Sequence, residues 1–333
     1  MTNYEKKKKS KEKNRKKNLL FILALFLFGI LGSVTYAWFS SDTKLNIDAM
    51  EIHIETMSGI QVSANAVNWS NDIKKEDIID AYKLYPTATN QLPETLGGCS
   101  TDGSTNATGM NMYYGYTRDY NGGFNLLADK QTEINCVGDQ ECAGKHYIAF
   151  DIFILLNEPA DLVVTSESYI KNTSETIVGG ENRARVGFVN LGTTTDTENS
   201  TRAQFLSTAT SSAIWEPNYD THTEHGIKNA KDIYGITTTA TGAARLPYKG
   251  INSEITGKGV DITATDNDPH FTTVNPSIAT IKDFTNDQDL LSFQRGITKL
   301  RVYFWREGQD VDLENEVSGG ELEFKLELAI KAS

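Results

Sequence analysis

The chain has 333 residues and a net charge of −12, which is unevenly distributed. Residues 1–18 carry nine basic and two acidic side chains, a net of +7, and this leaves −19 for the rest of the chain. The rest has no basic patch, which argues against nucleic acid as a partner. It is long enough to form one large domain or two smaller ones.

The basic segment is followed by an apolar leader. Residues 19–32 form an apolar stretch of 14, and this order is typical of a signal peptide whose basic end stays in the cytoplasm. Ala37 is a suitable small residue for cleavage, which would leave Trp38 as the first residue of the exported chain. A weaker apolar region extends to Phe39, and the resulting 21 residues could also span a bilayer. Residues 19–37 are therefore a signal peptide or a membrane anchor, and the pattern favours cleavage.

Residues 38–57 change from an aromatic pair to an amphipathic strand. The segment MEIHIE places apolar residues at every second position, which is the period of a β-strand with one buried face. Residues 46–57 are therefore predicted to be the first strand of the domain, and residues 38–45 are a candidate donor arm for the edge of another sheet. The candidate donor residues are Trp38, Phe39, Leu45 and Ile47.

One helix is predicted in the exported part. Residues 71–84, NDIKKEDIIDAYKL, place apolar side chains at roughly helical spacing. Asn71 or Asp72 is the candidate N-cap, because short polar side chains satisfy the first backbone N–H groups of a helix.

Two long connections, residues 86–145 and 190–275, are polar and rich in Gly and Thr, and are predicted to be surface insertions. The first contains Cys99, Cys136 and Cys142. Export implies an oxidising compartment, and Cys136 and Cys142 bracket a short loop that a disulfide could close. Cys99 could instead pair with either, and three free thiols is the alternative in a bacterium that makes few disulfides. We expect one bond and one spare thiol.

The second connection contains two histidines that could share a metal ion on one helical face. His222 and His225 stand in YDTHTEHG, between Pro217 and Gly226, which disfavour a regular helix. Their order is not H-E-x-x-H, so a polar loop is the favoured interpretation. The chain also contains no G-x-S-x-G, P-loop or dinucleotide-binding motif. We therefore expect no catalytic residues and no enzymatic activity.

Several further segments have strand patterns. Residues 146–156, HYIAFDIFILL, are apolar on both faces and predict a central strand covered on both sides. RARVGFVN (183–190), TKLRVYFWRE (298–307) and ELEFKLELAIK (321–331) alternate instead, with arginine, aromatic or charged residues on the second face. Gly/Asn/Asp/Ser-rich loops separate these strands. The pattern predicts an all-β fold for residues 38–333, an antiparallel two-sheet β-sandwich or jelly roll with long loop insertions after the leader helix.

An acidic segment near the end of the chain, EGQDVDLENEVSGG (307–320), presents carboxylates at alternate positions. Oxygen ligands at this spacing in a glycine-bounded loop can wrap a hard cation such as calcium. The candidate ligands are Asp310, Asp312, Glu314 and Asn315. The alternative, which the pattern favours, is an acidic connection between the last two strands. No other cofactor is expected.

Four segments resemble one family. The leader followed by TYAWFSSDT (35–43) resembles the start of the TasA/camelysin group of exported proteins of Gram-positive bacteria. RVYFWREGQDVDLEN (301–315), RARVGFV (183–189) and IWEPNYDTH (214–222) are similar to segments of such proteins. The resemblance implies a dedicated signal peptidase and a jelly-roll subunit that assembles into extracellular fibres of a biofilm matrix. It also implies that the freed N-terminal segment inserts as a strand into the next subunit.

Three functions follow as hypotheses, all extracellular or at the cell surface. The first is an exported non-catalytic structural protein, a subunit of a surface or biofilm-matrix fibre that pairs mainly with itself and also with other matrix or surface proteins. The second is a surface adhesin or binding module, held in the membrane through residues 19–39, with the two long connections as its contact surface. The third is a secreted camelysin-like protease, which the family name alone suggests.

Overall fold

The structure is a computed structural model that describes residues 46–54, 60–120, 123–173, 179–242, 245–246, 248–261, 268–313 and 321–332. The predicted leader, the cleavage pair Ala37 and Trp38, and the donor candidates Phe39 and Leu45 lie outside the described residues. All described residues belong to one compact unit, Trp38–Ser333.

Strands dominate the described part of the chain, which confirms the prediction of a mostly β protein. They are β1 Asn46–Ile54, β2 Ile60–Ser63, β3 Asp72–Lys74, β4 Gln91–Leu92, β5 Gly98–Ser100, β6 Met112–Tyr120, β7 Gly123–Gln131, β8 Cys136–Val137, β9 Ile148–Leu156, β10 Ala160–Val164, β11 Tyr169–Asn172, β12 Ala184–Thr194, β13 Ser211–Glu216, β14 Tyr248–Ile251, β15 Ile255–Asp261, β16 Phe271–Val274, β17 Ile278–Ala279, β18 Gln288–Phe293, β19 Gly296–Glu307 and β20 Glu321–Ile330.

The helices in the described part are short. They are α1 Lys75–Asp80, a 3₁₀ helix Ala81–Lys83, α2 Gly138–Glu141, α3 Ser200–Gln204 and α4 Glu224–Tyr234. The helix predicted over 71–84 therefore starts late, and neither Asn71 nor Asp72 caps it. The reason is tertiary: β3 pairs with β1, so the backbone stays extended up to Lys74, where the Asp77 side chain accepts a hydrogen bond from the Lys74 N–H.

One sheet has the strand order β18-β10-β20-β1-β3, and β11 also pairs with β20. The alternation predicted for β20 is confirmed, because Leu322, Phe324, Leu326 and Leu328 are all buried. β1 pairs with β20 in parallel, and β4–β8, β13–β17 and β5–β19 are parallel as well. Most strand pairs are antiparallel, as predicted, but these parallel pairs make both sheets mixed.

The second sheet is larger. Its central strands run in the order β2-β9-β19-β12-β13-β17, and β5, β6, β7 and β15 extend it from the far end of β19. β9 is buried on both faces, as its apolar composition predicted, and every residue of β19 is buried. β9 and β19 pair over nine residues, so they form the centre of this sheet.

The main core lies between the two sheets, because buried apolar side chains of β20 and β10 share one cluster with those of β9, β12 and β19. The predicted insertions are more ordered than their composition indicated. Residues 86–145 contain β4 to β8, and residues 190–275 contain β13 to β16 as well as α3 and α4. These strands pack over smaller clusters that use Tyr and Met, which is why their apolar content looked too low for a core.

Candidate functional site

A groove of about 380 Å³ lies where an edge of one sheet faces an edge of the other. We name it the β11 groove. One wall is residues 166–172, which include β11, and the other is residues 280–284, which lead from β17 towards β18. The lining is completed by Glu181, Trp215, Pro217 and Asn218. Its volume falls within the range of small-molecule and peptide sites in proteins.

The groove occupies a strand position that none of the described strands fills. β11 and β10 pair with successive parts of β20, residues 322–325 and 328–330. β18 covers the outer side of β10, whereas none of the described strands covers the outer side of β11. The β11 groove therefore lies beside β11 in the same position that β18 occupies beside β10. An extended segment in this position could pair its main chain with β11.

Asn218 closes part of this outer side. Its Nδ2 donates to the carbonyl oxygen of Ile170 at 3.0 Å and to that of Glu181 at 3.5 Å. Asn218 is 6% exposed and has φ of 55°, in the left-handed region that Asn tolerates better than most residues. In an antiparallel ladder, alternate residues turn their N–H and C=O away from the partner strand. The Asn218 amide therefore occupies the place of an N–H from a further strand.

The base of the groove is aromatic. The Trp215 indole is fully buried, donates from Nε1 to Thr280 Oγ1 at 2.9 Å, and meets the Phe284 ring edge to face at 6.2 Å. Ile281, on the wall, is 44% exposed. Since Trp215 is fully buried, the apolar surface that an entering side chain would meet comes from Phe284, 9% exposed, and from Ile281.

The rim carries charges of both signs. Glu167 and Asp283 stand with Lys171 and Lys282, and the Lys171 ammonium lies 3.6 Å from the centre of the Tyr169 ring. A mixed rim does not favour a strongly charged ligand of either sign. Together with the vacant strand position, it suits binding through the main chain.

A buried ionic cluster includes Glu216, the last residue of β13. Arg185 of β12 binds Glu216 and Asp310, each at 2.6 Å, and Arg245 binds the second carboxylate oxygen of Glu216 at 2.6 Å. Burial alone would lower the pKa of Arg185, but the charges of Glu216 and Asp310 raise it above the ordinary value. The carboxylates of this cluster are held by cations and tie the sheet to the acidic segment.

The first turn of α4 is anchored to the same acidic segment. Asp312 accepts hydrogen bonds from His222 Nδ1 and from the backbone N–H of Thr223, both at 2.8 Å. Burial lowers the pKa of His222, but its hydrogen bond to Asp312 and the nearby charges outweigh this and raise the pKa. A Cβ at Gly226 would meet the Asp312 carboxylate, so glycine is needed for this close approach.

The prediction that Pro217 and Gly226 disfavour a regular helix is wrong for His225 and holds for His222. α4 begins at Glu224, and Thr223 caps it by accepting a hydrogen bond from the N–H of Gly226. The glycine is therefore part of the capped first turn. His225 lies inside the helix, whereas His222 precedes it and binds Asp312.

The candidate calcium ligands are only partly described. Asp310 and Asp312 face protein donors, namely Arg185, His222 and Thr223, and Glu314 and Asn315 lie outside the described residues. In the described part of the chain, no group of three or more His, Cys, Asp or Glu side chains is placed to hold a metal ion.

A second buried ionic cluster joins β9 to β19. Asp151 accepts hydrogen bonds from Arg301 Nε at 2.8 Å and from the Tyr85 hydroxyl at 2.9 Å, and Lys299 Nζ lies 3.4 Å away. Burial raises the pKa of Asp151, but the charges of Arg301 and Lys299 and the hydrogen bonds bring it down to about 2. The arginine and lysine that alternate with apolar residues in β19 therefore cross-link two central strands.

The three cysteines have separate environments. Cys136 and Cys142 form a disulfide, the pair favoured by the sequence, and Cys99 is a buried free thiol. Burial raises the pKa of the Cys99 thiol well above its ordinary value, which keeps the thiol protonated. The donor candidate Ile47 belongs to β1, which pairs with β20 of its own sheet.

The groove and the ionic clusters were not visible in the sequence as sites. The signals that point to them are the arginines that share one side of the strand in RARVGFV and the Pro-Asn step after Trp215 and Glu216. Both are common patterns, and only the pairing of distant strands shows what they contact.

Comparison with known proteins gave no relatives: no family model, no curated protein and no solved structure matches the chain. A separate search of the described residues found no helix with the length and apolar character needed to cross a membrane.

Proposed function

We propose that the chain is an exported, non-catalytic structural protein, a subunit of a cell-surface or biofilm-matrix fibre in which each copy donates its N-terminal segment as a strand to the next. The observation that carries the proposal is the β11 groove, at an edge of a mixed sheet that no strand of the described residues covers. A donated strand would pair with β11 and lay alternate side chains over the aromatic base formed by Trp215 and Phe284. The two packed sheets would then form a jelly-roll sandwich completed by a neighbour.

The geometry of β1 supports this donor. β1 begins at Asn46, which pairs with Glu321 of β20, and β11 ends at Asn172, which pairs with Leu322 on the other side of the same strand. A segment preceding β1 therefore starts from the end of the sheet at which the β11 groove opens. Residues 38–45 can extend about 26 Å at roughly 3.3 Å per residue. The groove lies three strand positions from β1, about 14 Å, so a copy's own groove and a neighbour's compete for the segment, as in domain swapping.

The remaining properties suit an extracellular structural role. The leader predicts export, the disulfide is of a kind that persists in oxidising compartments, and the large negative charge after residue 18 favours solubility. The buried acids Asp151, Glu216 and Asp310 are each engaged by a cation, which favours a structural over a catalytic role. Calcium at the acidic segment remains part of the proposal as an additional ligand.

A second candidate is a membrane-anchored adhesin that uses the same groove for an external ligand. The mixed charges of its rim and its volume of about 380 Å³ favour this alternative. In that case residues 19–39 would stay in the membrane, and the groove would bind a peptide or glycan of another molecule.

Assembly of two forms of the chain separates the two candidates. Residues 38–333 and residues 46–333 are purified and examined by electron microscopy and sedimentation over a range of concentrations, with calcium or with a chelator. We expect filaments from the longer form alone. Monodisperse particles from both forms under all conditions would favour the adhesin. N-terminal sequencing of the exported protein tests the cleavage, and Trp38 is the expected first residue.

A further inference from the structure

We propose that Asn218 is a latch that closes the outer side of β11 in the free subunit and has to release before a partner strand enters. This inference rests on the proposed function and adds a step that regulates strand binding at the same site. The partner is an extended segment of a second copy, and the control is exerted by one side-chain amide.

The hydrogen bonds of Asn218 define the latch. Its Nδ2 lies 3.0 Å from the carbonyl oxygen of Ile170, which points away from β20, and 3.5 Å from the carbonyl oxygen of Glu181. A strand in the vacant row would bond the Ile170 carbonyl through a backbone N–H. The amide and the incoming strand therefore compete for one acceptor, and they cannot both occupy it.

The latch is held in place by its surroundings. Asn218 follows β13 by two residues, and its backbone carbonyl accepts hydrogen bonds from the N–H and the hydroxyl of Thr221. Its side chain thus spans from one sheet to the edge of the other. It is 6% exposed, so its amide is shielded from bulk water in the closed state. Such a closed edge is protected against pairing with other chains before assembly.

Release exchanges the hydrogen bond at Ile170 and gives up only the longer one, of 3.5 Å, to Glu181. When a strand enters, the Ile170 carbonyl gains a main-chain donor, and the Asn218 amide can turn to water at the mouth of the groove. The net cost of release is therefore small, because an exposed amide is satisfied by water. The latch would therefore act mainly on the rate at which copies pair.

The test uses a pair of variants with the same one-atom change. In Asn218→Asp the carboxylate cannot donate to a carbonyl, and Asp tolerates left-handed φ. Asn229→Asp is the matched control: Asn229 Nδ2 donates to the Val311 carbonyl at 2.9 Å, and the residue is 2% exposed and lies outside the groove. Asn218→Asp loses its bond to Ile170 and the longer one to Glu181, and Asn229→Asp loses its bond to Val311, so a general loss of stability affects both.

A second pair separates the side chain from the backbone. Asn218→Gly removes the amide and keeps left-handed φ available, and Asp283→Gly changes another left-handed residue of the same groove, with φ of 56°, without touching the Ile170 carbonyl. The readouts are the rate of filament formation of residues 38–333 and, in dilute monomer, amide hydrogen exchange over residues 166–172.

We expect Asn218→Asp and Asn218→Gly to assemble about fivefold faster than the unmodified chain, the factor that corresponds to one hydrogen bond of ordinary strength. Exchange over residues 166–172 should rise in these two variants and stay unchanged in the two controls. Assembly at the unmodified rate in both Asn218 variants would overturn the latch and leave the proposed function intact. If no form assembles, the proposed function fails; the latch is then supported by faster exchange in the Asn218 variants and overturned by unchanged exchange.

Discussion

At the scale of single residues, Glu307 is a buried acid whose pKa lies near neutrality. It is fully buried at the end of β19, where burial raises its pKa to about 7 although hydrogen bonds from Ser100 and Trp305 and the charge of Arg185 lower it. The fold therefore favours the protonated carboxyl. Its contribution to stability is fully present below the unfolded pKa of about 4.3 and is lost as the pH rises through about 7.

Glu307→Gln should remove this pH dependence. The neutral amide cannot ionise, so the variant's free energy of unfolding should stay flat between pH 5 and 8 relative to the unmodified chain, which should lose roughly 3 kcal/mol over this range. Urea titrations of both proteins at a series of pH values measure the difference. The test compares the pH dependence of the two proteins and not their absolute stability. Glu307 accepts hydrogen bonds from Trp305 and Gln309 with two different oxygens, and Gln has only one acceptor oxygen. Parallel pH profiles of the two proteins would show that Glu307 stays ionised in the fold.

Asp151 should have the opposite dependence. Its pKa of about 2 means that its stabilising contribution is present above about 3.9, the unfolded value, and is lost as the pH falls through about 2. Asp151→Asn leaves Arg301 and Lys299 buried without a full counter-charge, so we expect a loss of about 3–5 kcal/mol at pH 7. The matched control is Asp289→Asn, which breaks an exposed pair with Lys331 and should have little effect on stability, because water screens such pairs. Equal effects of the two substitutions in denaturant titrations would contradict the role given to Asp151.

At the scale of secondary-structure elements, the Cys136–Cys142 disulfide stabilises a short segment that binds residues 94 and 95. It closes the segment that contains α2, where Asp139 accepts hydrogen bonds from the N–H groups of Glu94 and Thr95. Replacing both cysteines with Ser should lower the free energy of unfolding by about 2 kcal/mol for a loop this short. It should also speed amide exchange at residues 94 and 95. A reductant should destabilise the unmodified chain alone; if it also destabilised the double variant, the effect would not come from this bond.

The elements that the sequence predicted well are those whose own residues determine the pattern. β9 and β20 carry enough apolar residues to show which faces are covered, and their burial follows. The helix over 71–84 was misplaced because β1 holds residues 72–74 in a strand. α4 was not predicted because glycine disfavours helices in general. At position 226 glycine is needed, since a side chain there would collide with the Asp312 carboxylate.

At the scale of the whole molecule, the candidate site could not be predicted from the sequence. It forms only where strands that are distant in the chain pair in a particular register. Arg185 meets Asp310 across 125 positions, and Asn218 meets Ile170 across 48. Neither contact has a local signature. The sequence could predict that strands with free edges exist, but which strand row stays vacant depends on the order β18-β10-β20-β1-β3 and on β11 lying next to β10 along β20.

The central claim is that the β11 groove receives residues 38–45 of another copy, and cysteine cross-linking between two copies tests it most directly. Copies of residues 38–333 that carry Phe39→Cys are mixed with copies that carry Ile281→Cys and are oxidised mildly. Ile281 lies in the groove and is 44% exposed; Val67→Cys, at a residue 43% exposed and outside the groove, is the matched control. We predict a disulfide-linked pair of Phe39→Cys with Ile281→Cys and none with Val67→Cys. No link to Ile281→Cys, or equal links to both positions, would contradict the account.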